Sequence, residues 1–266
     1  MTEPYRVQAY NTSKASENKI HDDAVARRFG FKGGLVPGVD VYAYMVHPAV
    51  ARWGRRWLEH GSAEIRLLKP VYDGTTAIVT ATETPQGLDL RVDSEGELCA
   101  TGRATLPALT PVPPAAFAEA PVPPAPPADR PPASEASLAP DAWLAARPLP
   151  LTREVVSEHL RDMRETETLY AAEGLVHPGL ILRTANWVMN HNVVFGPWMH
   201  VGSTVQHFAA ARIGDELSAR GHVTANYERK GHRFVECDVL VYINGTTPIA
   251  RVAHVAIWRP RQLAAA

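Results

Sequence analysis

Cysteine is nearly absent: Cys99 and Cys237 are the two among 266 residues. That is too few for a disulfide framework, and no CxxC or Cys/His spacing suggests structural zinc. A reducing setting follows. Since MTEPYRVQAYNTSK contains no apolar leader segment, a cytoplasmic location is expected. Also missing is any run near the ~18 continuous apolar residues that a membrane-spanning helix needs. Charge of one sign is lacking too: 27 Lys and Arg against 28 Asp and Glu leave a net charge of −1, which removes the pull toward nucleic acid or an anionic membrane. No Walker A or GxGxxG motif is present, so nucleotide-dependent phosphoryl transfer and nicotinamide redox have no support, and no cofactor is expected. Of 11 histidines, His191, His200 and His207 form the densest group. None belongs to HExxH or H-x-H, and on a regular strand His200 and His207, seven apart, face opposite sides. No metal site is expected.

What the chain does have is proline, unevenly spread. Of 23 prolines, 11 fall between Pro107 and Pro132, where the missing N–H groups and fixed φ exclude helix and sheet interiors. Such a stretch is an extended spacer reaching about 3 Å per residue. It divides an otherwise ordinary globular composition, 45% hydrophobic and 21% charged, into residues 1–106, a Pro/Ala-rich connector 107–145, and residues 146–266.

The two flanking pieces resemble each other. GGLVPG ending at Gly38 is matched by EGLVHPG ending at Gly179, and Gly61-Ser62 is matched by Gly202-Ser203. Both pairs are separated by 141 positions, which argues for a duplicated unit. Between the landmarks lie VDVYAYMVHPAVARWGRRWLEH and LILRTANWVMNHNVVFGPWMH. Each is too long for one strand and is opened by Pro-Gly, which predicts one central helix per half. Pro48 should limit or kink the first helix, and Gly196-Pro197 should stop the second. Alternating runs follow, such as Val235, Cys237, Val239 and Val241. The turns Arg229-Lys230-Gly231 and Asn244-Gly245 imply antiparallel strands. The expected fold is α+β: a long helix wrapped by an antiparallel sheet, twice.

This pattern resembles the hot-dog fold, and within it the MaoC-like dehydratases and (R)-specific enoyl-CoA hydratases, in which two such units pair side by side. The segment Tyr227 to Pro260 is similar to the strand-turn-strand-turn-strand ending of MaoC-like domains. The family signature D-x-N-P-[apolar]-H aligns with Ser-Glu-Asn-Lys-Ile-His at residues 16–21. Asn18, Ile20 and His21 match. Ser16 stands at the aspartate position, Lys19 replaces proline, and Pro37 precedes Gly38 where the family has histidine. The resemblance implies a double hot-dog hydratase or dehydratase acting on 2-enoyl or 3-hydroxyacyl thioesters of CoA or a carrier protein, and a homodimer is expected. It implies His21, Asn18 and Ser16 as catalytic residues, with Gly38, Val39, Tyr42 and His177 binding substrate.

The chemistry explains these roles. Hydrating an enoyl thioester requires a base for water, an acid for the α-carbon, and donors for the enolate oxygen. Histidine titrates near neutrality, and a carboxylate normally orients it; Glu17, Asp22, Asp23 and Asp40 are the nearby candidates. The amides of Gly38 and Val39, at the start of the central helix, match the family's donors. Two alternatives remain open: a thioesterase in which Asp40 activates water, and an acyl-thioester-binding subunit without catalysis.

Overall fold

The computed structural model describes residues 3–117 and 127–263; the centre of the proline run lies outside the described residues. In the first half, strand β1 (Tyr5–Gln8) and the short helix α1 (Asp23–Arg28) precede helices α2 (Gly38–Trp53) and α3 (Arg55–His60). Strands β2 (Ser62–Leu67), β3 (Thr76–Thr84), β4 (Gly87–Ser94) and β5 (Glu97–Thr105) follow. The second half runs β6 (Trp143–Pro150), α4 (Arg153–Asp162), α5 (Leu169–Glu173), α6 (Pro178–Asn190), β7 (Met199–His207), β8 (Glu216–Arg229), β9 (His232–Ile243) and β10 (Thr247–Arg259). Among the described residues, no helix is long and apolar enough to cross a membrane.

All ten strands form one antiparallel sheet in the order β1-β3-β4-β5-β2-β7-β10-β9-β8-β6. Three hairpins close with paired positive-φ residues, Glu95-Gly96, Lys230-Gly231 and Asn244-Gly245, the backbone that two-residue hairpins need to match strand twist. The halves meet where β2 pairs with β7. There Ser62 faces Gln206 and Ile65 faces Ser203. Exchanging each residue for its counterpart 141 positions away converts the first pair into the second, so the sequence repeat is also a two-fold relation in the sheet. α2 and α6 lie together in the concavity, close enough that a Cβ on Gly179 would stand 2.6 Å from Ala43 Cβ. Both helices are apolar around most of their circumference, as helices enclosed by a sheet must be.

Helix ends differ from expectation. α2 runs through Pro48 and breaks instead at Gly54, whose φ of 59° leads into α3. α6 ends at Asn190, before Gly196-Pro197, because Asn192 Nδ2 donates to the carbonyls of Val188 and Ala145. This satisfies helix-terminal acceptors without a glycine cap.

The connector is more than a spacer at its described ends. Phe117 packs edge-on against Trp143 and its amide donates to Tyr242 Oη. Further along, Val194 and the 131–133 segment exchange backbone hydrogen bonds, and Leu138 is fully buried. β6 begins at Trp143, inside the stretch assigned to the connector, because it closes the sheet against β8.

Candidate active site

Two adjoining chambers lie along the seam of the halves. One, of 380 Å³, is walled mainly by apolar side chains including Phe31, Val41, Leu67, Val71 and Ile257. The other, of 330 Å³, is lined by Arg130, Arg147 and Arg183. Asn18, His21, Pro37, Asn186 and Trp198 line both and mark their junction.

His21 ends a short 3-10 turn, Lys19–His21, that Asn18 caps through Ile20 N. The chain then enters α1, capped by Asp22, and returns through Gly33-Gly34. A Cβ on Gly34 would overlap the carbonyl oxygen of His21, so the return requires glycine. His21 Nδ1 lies 2.7 Å from the carbonyl oxygen of Leu35. That oxygen only accepts, so Nδ1 carries the proton and Nε2 presents its lone pair. Nε2 meets Asn18 Nδ2 at 3.3 Å. Burial lowers the imidazole pKa, opposed by the Leu35 carbonyl and Asp40 and reinforced by Arg183. The result is an imidazole held in one tautomer and biased toward its uncharged form.

No carboxylate hydrogen-bonds to His21 among the described residues. Glu17 pairs with Arg130, Asp22 caps α1, and Asp23 accepts from Gly34 N. Asp40, 1% exposed, accepts from Thr12 Oγ1 at 2.7 Å and is ion-paired with Arg183. A backbone carbonyl therefore orients His21 where an acid was expected. Ser16 lines the arginine chamber but turns its hydroxyl to the Asn18 carbonyl, 3.3 Å away. It makes no hydrogen bond to His21.

Gly38 lines the apolar chamber and Val39 the arginine chamber. As the first residues of α2, with no side-chain cap from Pro37, their amides have no partner within the helix. Tyr42 lines neither chamber and is wholly buried. Gly38 and Val41, three apart, face the cavity, and Tyr42 lies one residue's rotation around the helix. His177 also stands away from the site, as N-cap of α6. Its Nδ1 accepts from Gly179 N and its Nε2 donates to Glu165.

No family model matches the chain, and no curated protein matches it by sequence. Solved structures do match over nearly its whole length. A conserved hypothetical protein of Mycobacterium tuberculosis with a double hot-dog fold superposes with TM-score 0.63 at 14% identity, covering 97% of this chain and 96% of that one. A MaoC-like dehydratase gives 0.55 at 15% identity, with 98% and 97% covered. A protein assigned as a thioesterase, from Novosphingobium aromaticivorans, gives 0.52 at 12%, with 85% and 89% covered. This chain has a double hot-dog fold.

Within the double hot-dog, several site residues escaped the sequence reading. Asn186 on α6 sits at the junction with its Oδ1 buried and without a hydrogen-bond partner. Trp198 reaches it from the segment before β7. Arg130 enters from the connector. His200 lines the apolar chamber on the same face of β7 as Ser203, 2.8 Å away, because the strand bulges at Val201. The bulge inserts one residue and reverses the alternation, so His200 and His207 are both buried rather than on opposite faces. Pro-rich composition hid Arg130, and period-two counting hid His200; the unusual run of apolar and amide residues on α6 was the available signal for Asn186.

Proposed function

We propose that this protein is a hydratase or dehydratase of 2-enoyl or 3-hydroxyacyl thioesters. The observation that carries the reading is the neutral His21 imidazole, its Nε2 lone pair at the junction of two chambers and its neighbourhood shared with the open amides at the start of α2. In hydration, Nε2 takes a proton as the water oxygen bonds to C3. The C2=C3 pair becomes the C1=C2 bond of an enolate while the carbonyl pair moves to the thioester oxygen, where the Gly38 and Val39 amides stabilise the charge. Nε2–H then returns the proton to C2, and dehydration is the reverse. The Leu35 carbonyl holds the tautomer throughout, but being uncharged it stabilises the imidazolium less than a carboxylate would. The expected turnover is accordingly modest.

Loss of enoyl absorbance with crotonyl-CoA or a longer 2-enoyl-CoA, abolished in His21→Ala, is the test. Protein that binds the thioester without converting it would instead favour a binding subunit, the reading that the missing carboxylate supports. Thioester hydrolysis has less support. Asp40, its candidate base, lines neither chamber and is held by Thr12 and Arg183.

A further inference from the structure

His21 shares the arginine chamber with a second histidine, His191, which the reaction as described does not use. His191 follows directly on α6. Asn186 and Asn190 form one row of that helix, four residues apart, and Trp187 and His191 form the next; all four line the chamber. The Trp187 and His191 rings are nearly parallel, with 12° between their planes. Asn186 stands at the junction where His21 also lies, so α6 carries the chamber wall from His21 to His191. Glu17, next to Asn18, lines the same chamber, and its charge is felt at His191.

Backbone groups hold the two imidazoles in opposite tautomers. The pairing of β6 with β8 shifts between Ala146 and Leu149, and the Arg147 amide in that gap donates to His191 Nδ1 at 2.9 Å. An N–H only donates, so Nδ1 is the bare nitrogen and Nε2 carries the proton. At His21 the Leu35 carbonyl does the reverse, leaving the lone pair on Nε2. His191 Nε2 makes no hydrogen bond among the described residues, and the atom is not sealed from solvent. Burial, together with the Arg147 and Arg130 charges, pushes the His191 pKa down to about 4 against the pull of Glu17. The ring is therefore uncharged at neutral pH, and its single N–H is a standing donor. A wall that offers one bare ring nitrogen and one ring N–H suits an oxygen with a proton to give and a lone pair to receive it. Water is such an oxygen, and so is a 3-hydroxyl.

We propose that His191 is a second catalytic residue, donating from Nε2 to the oxygen that adds to or leaves C3 while His21 takes or returns that oxygen's proton. The proposal rests on the lyase reading of His21 and gives that reaction its water site. In hydration, the water accepts from His191 Nε2–H and donates to His21 Nε2, which removes the proton as the oxygen bonds to C3. In dehydration, the same donor stabilises the charge that develops on the oxygen as its bond to C3 breaks, and His21 Nε2–H protonates it. His191 keeps its own proton in both directions.

Two substitutions separate this role from a purely structural one. His191→Asn keeps an acceptor near the place of Nδ1 for the Arg147 amide and removes the distal N–H; His191→Gln keeps a donor near the place of Nε2 and gives up the acceptor. With crotonyl-CoA as the probe, His191→Asn should lower kcat/KM for hydration about 10- to 100-fold while the protein unfolds at an unchanged denaturant midpoint. His191→Gln should retain more activity than His191→Asn and unfold more easily. A His191→Asn variant within about twofold of the unaltered protein, alongside an inactive His21→Ala, overturns the proposal and leaves the lyase reading standing. So does a His191→Gln variant that is folded and at least as impaired as His191→Asn, since activity would then follow the Nδ1 bond. If the unaltered protein hydrates neither crotonyl-CoA nor a longer 2-enoyl-CoA, the lyase reading falls, and the proposal with it.

Discussion

Asn18 and Trp198, 180 positions apart in the chain, are joined as if by a base pair: Asn18 Nδ2 donates to the Trp198 carbonyl at 3.0 Å, and Trp198 N donates to Asn18 Oδ1 at 3.2 Å. The signature asparagine of the first half thus holds the backbone of the second half against His21. Deleting the amide in Asn18→Ala would orphan a buried N–H and C=O. The expected cost is about 2–4 kcal/mol of stability, read from denaturant unfolding. Activity should fall as well, because the junction wall loses its anchor.

His21 supplies a sharper kinetic expectation. Burial lowers its pKa from the ordinary value, so the unprotonated base is already present at neutral pH. The rate constant kcat/KM should rise with pH and level off, its midpoint below the ~6.5 of a free imidazole. His21→Ala should cost about 10²- to 10⁴-fold. A limb with a midpoint above that of free imidazole would mean that another group is the base.

Much of this arrangement is visible in the residues, and the parts that are not have identifiable causes. The spacing of 141 between landmarks is local in each half, so it survives as the symmetric β2–β7 register. Asn18, Ile20 and His21 are likewise contiguous. Tyr42 failed as a pocket residue because choosing a helix face requires knowing where the sheet closes. Trp198, Asn186 and Arg130 come to line a chamber with His21 only when distant parts of the chain meet, which no local pattern encodes. The orienting group of His21 was sought among carboxylates, yet it is the carbonyl of Leu35, an atom that every residue possesses.

Asp40 separates the lyase and thioesterase readings. Its carboxylate is buried and satisfied by Thr12 and Arg183, so Asp40→Asn should act on stability. The loss should be about 2–3 kcal/mol, below the usual cost of breaking a buried pair because Arg183 is 21% exposed. Thiol release from acyl-CoA, followed with a thiol reagent, should be absent or equal in both proteins. Thiol release by the unaltered protein that vanishes in a folded Asp40→Asn variant would make Asp40 the base.

Glu165 gives the fold its own acid sensitivity. Its carboxylate, 3% exposed, takes hydrogen bonds from His47 on α2 and His177 at the start of α6, and from the amides of Thr166 and Glu167. Burial alone would raise its pKa. The two histidines outweigh that and hold it well below the usual carboxylate range. A carboxyl depressed in the folded state releases its proton more readily there than in the unfolded chain. Its stabilisation is therefore complete above the unfolded value of ~4.3 and is lost as pH falls toward the folded one. Glu165→Gln should destabilise the protein by about 3 kcal/mol at pH 7. The gap between the two proteins should narrow as the pH is lowered below ~4.3, which urea titrations at successive pH values would show. A gap that stays constant through that range would mean that Glu165 acts through packing alone.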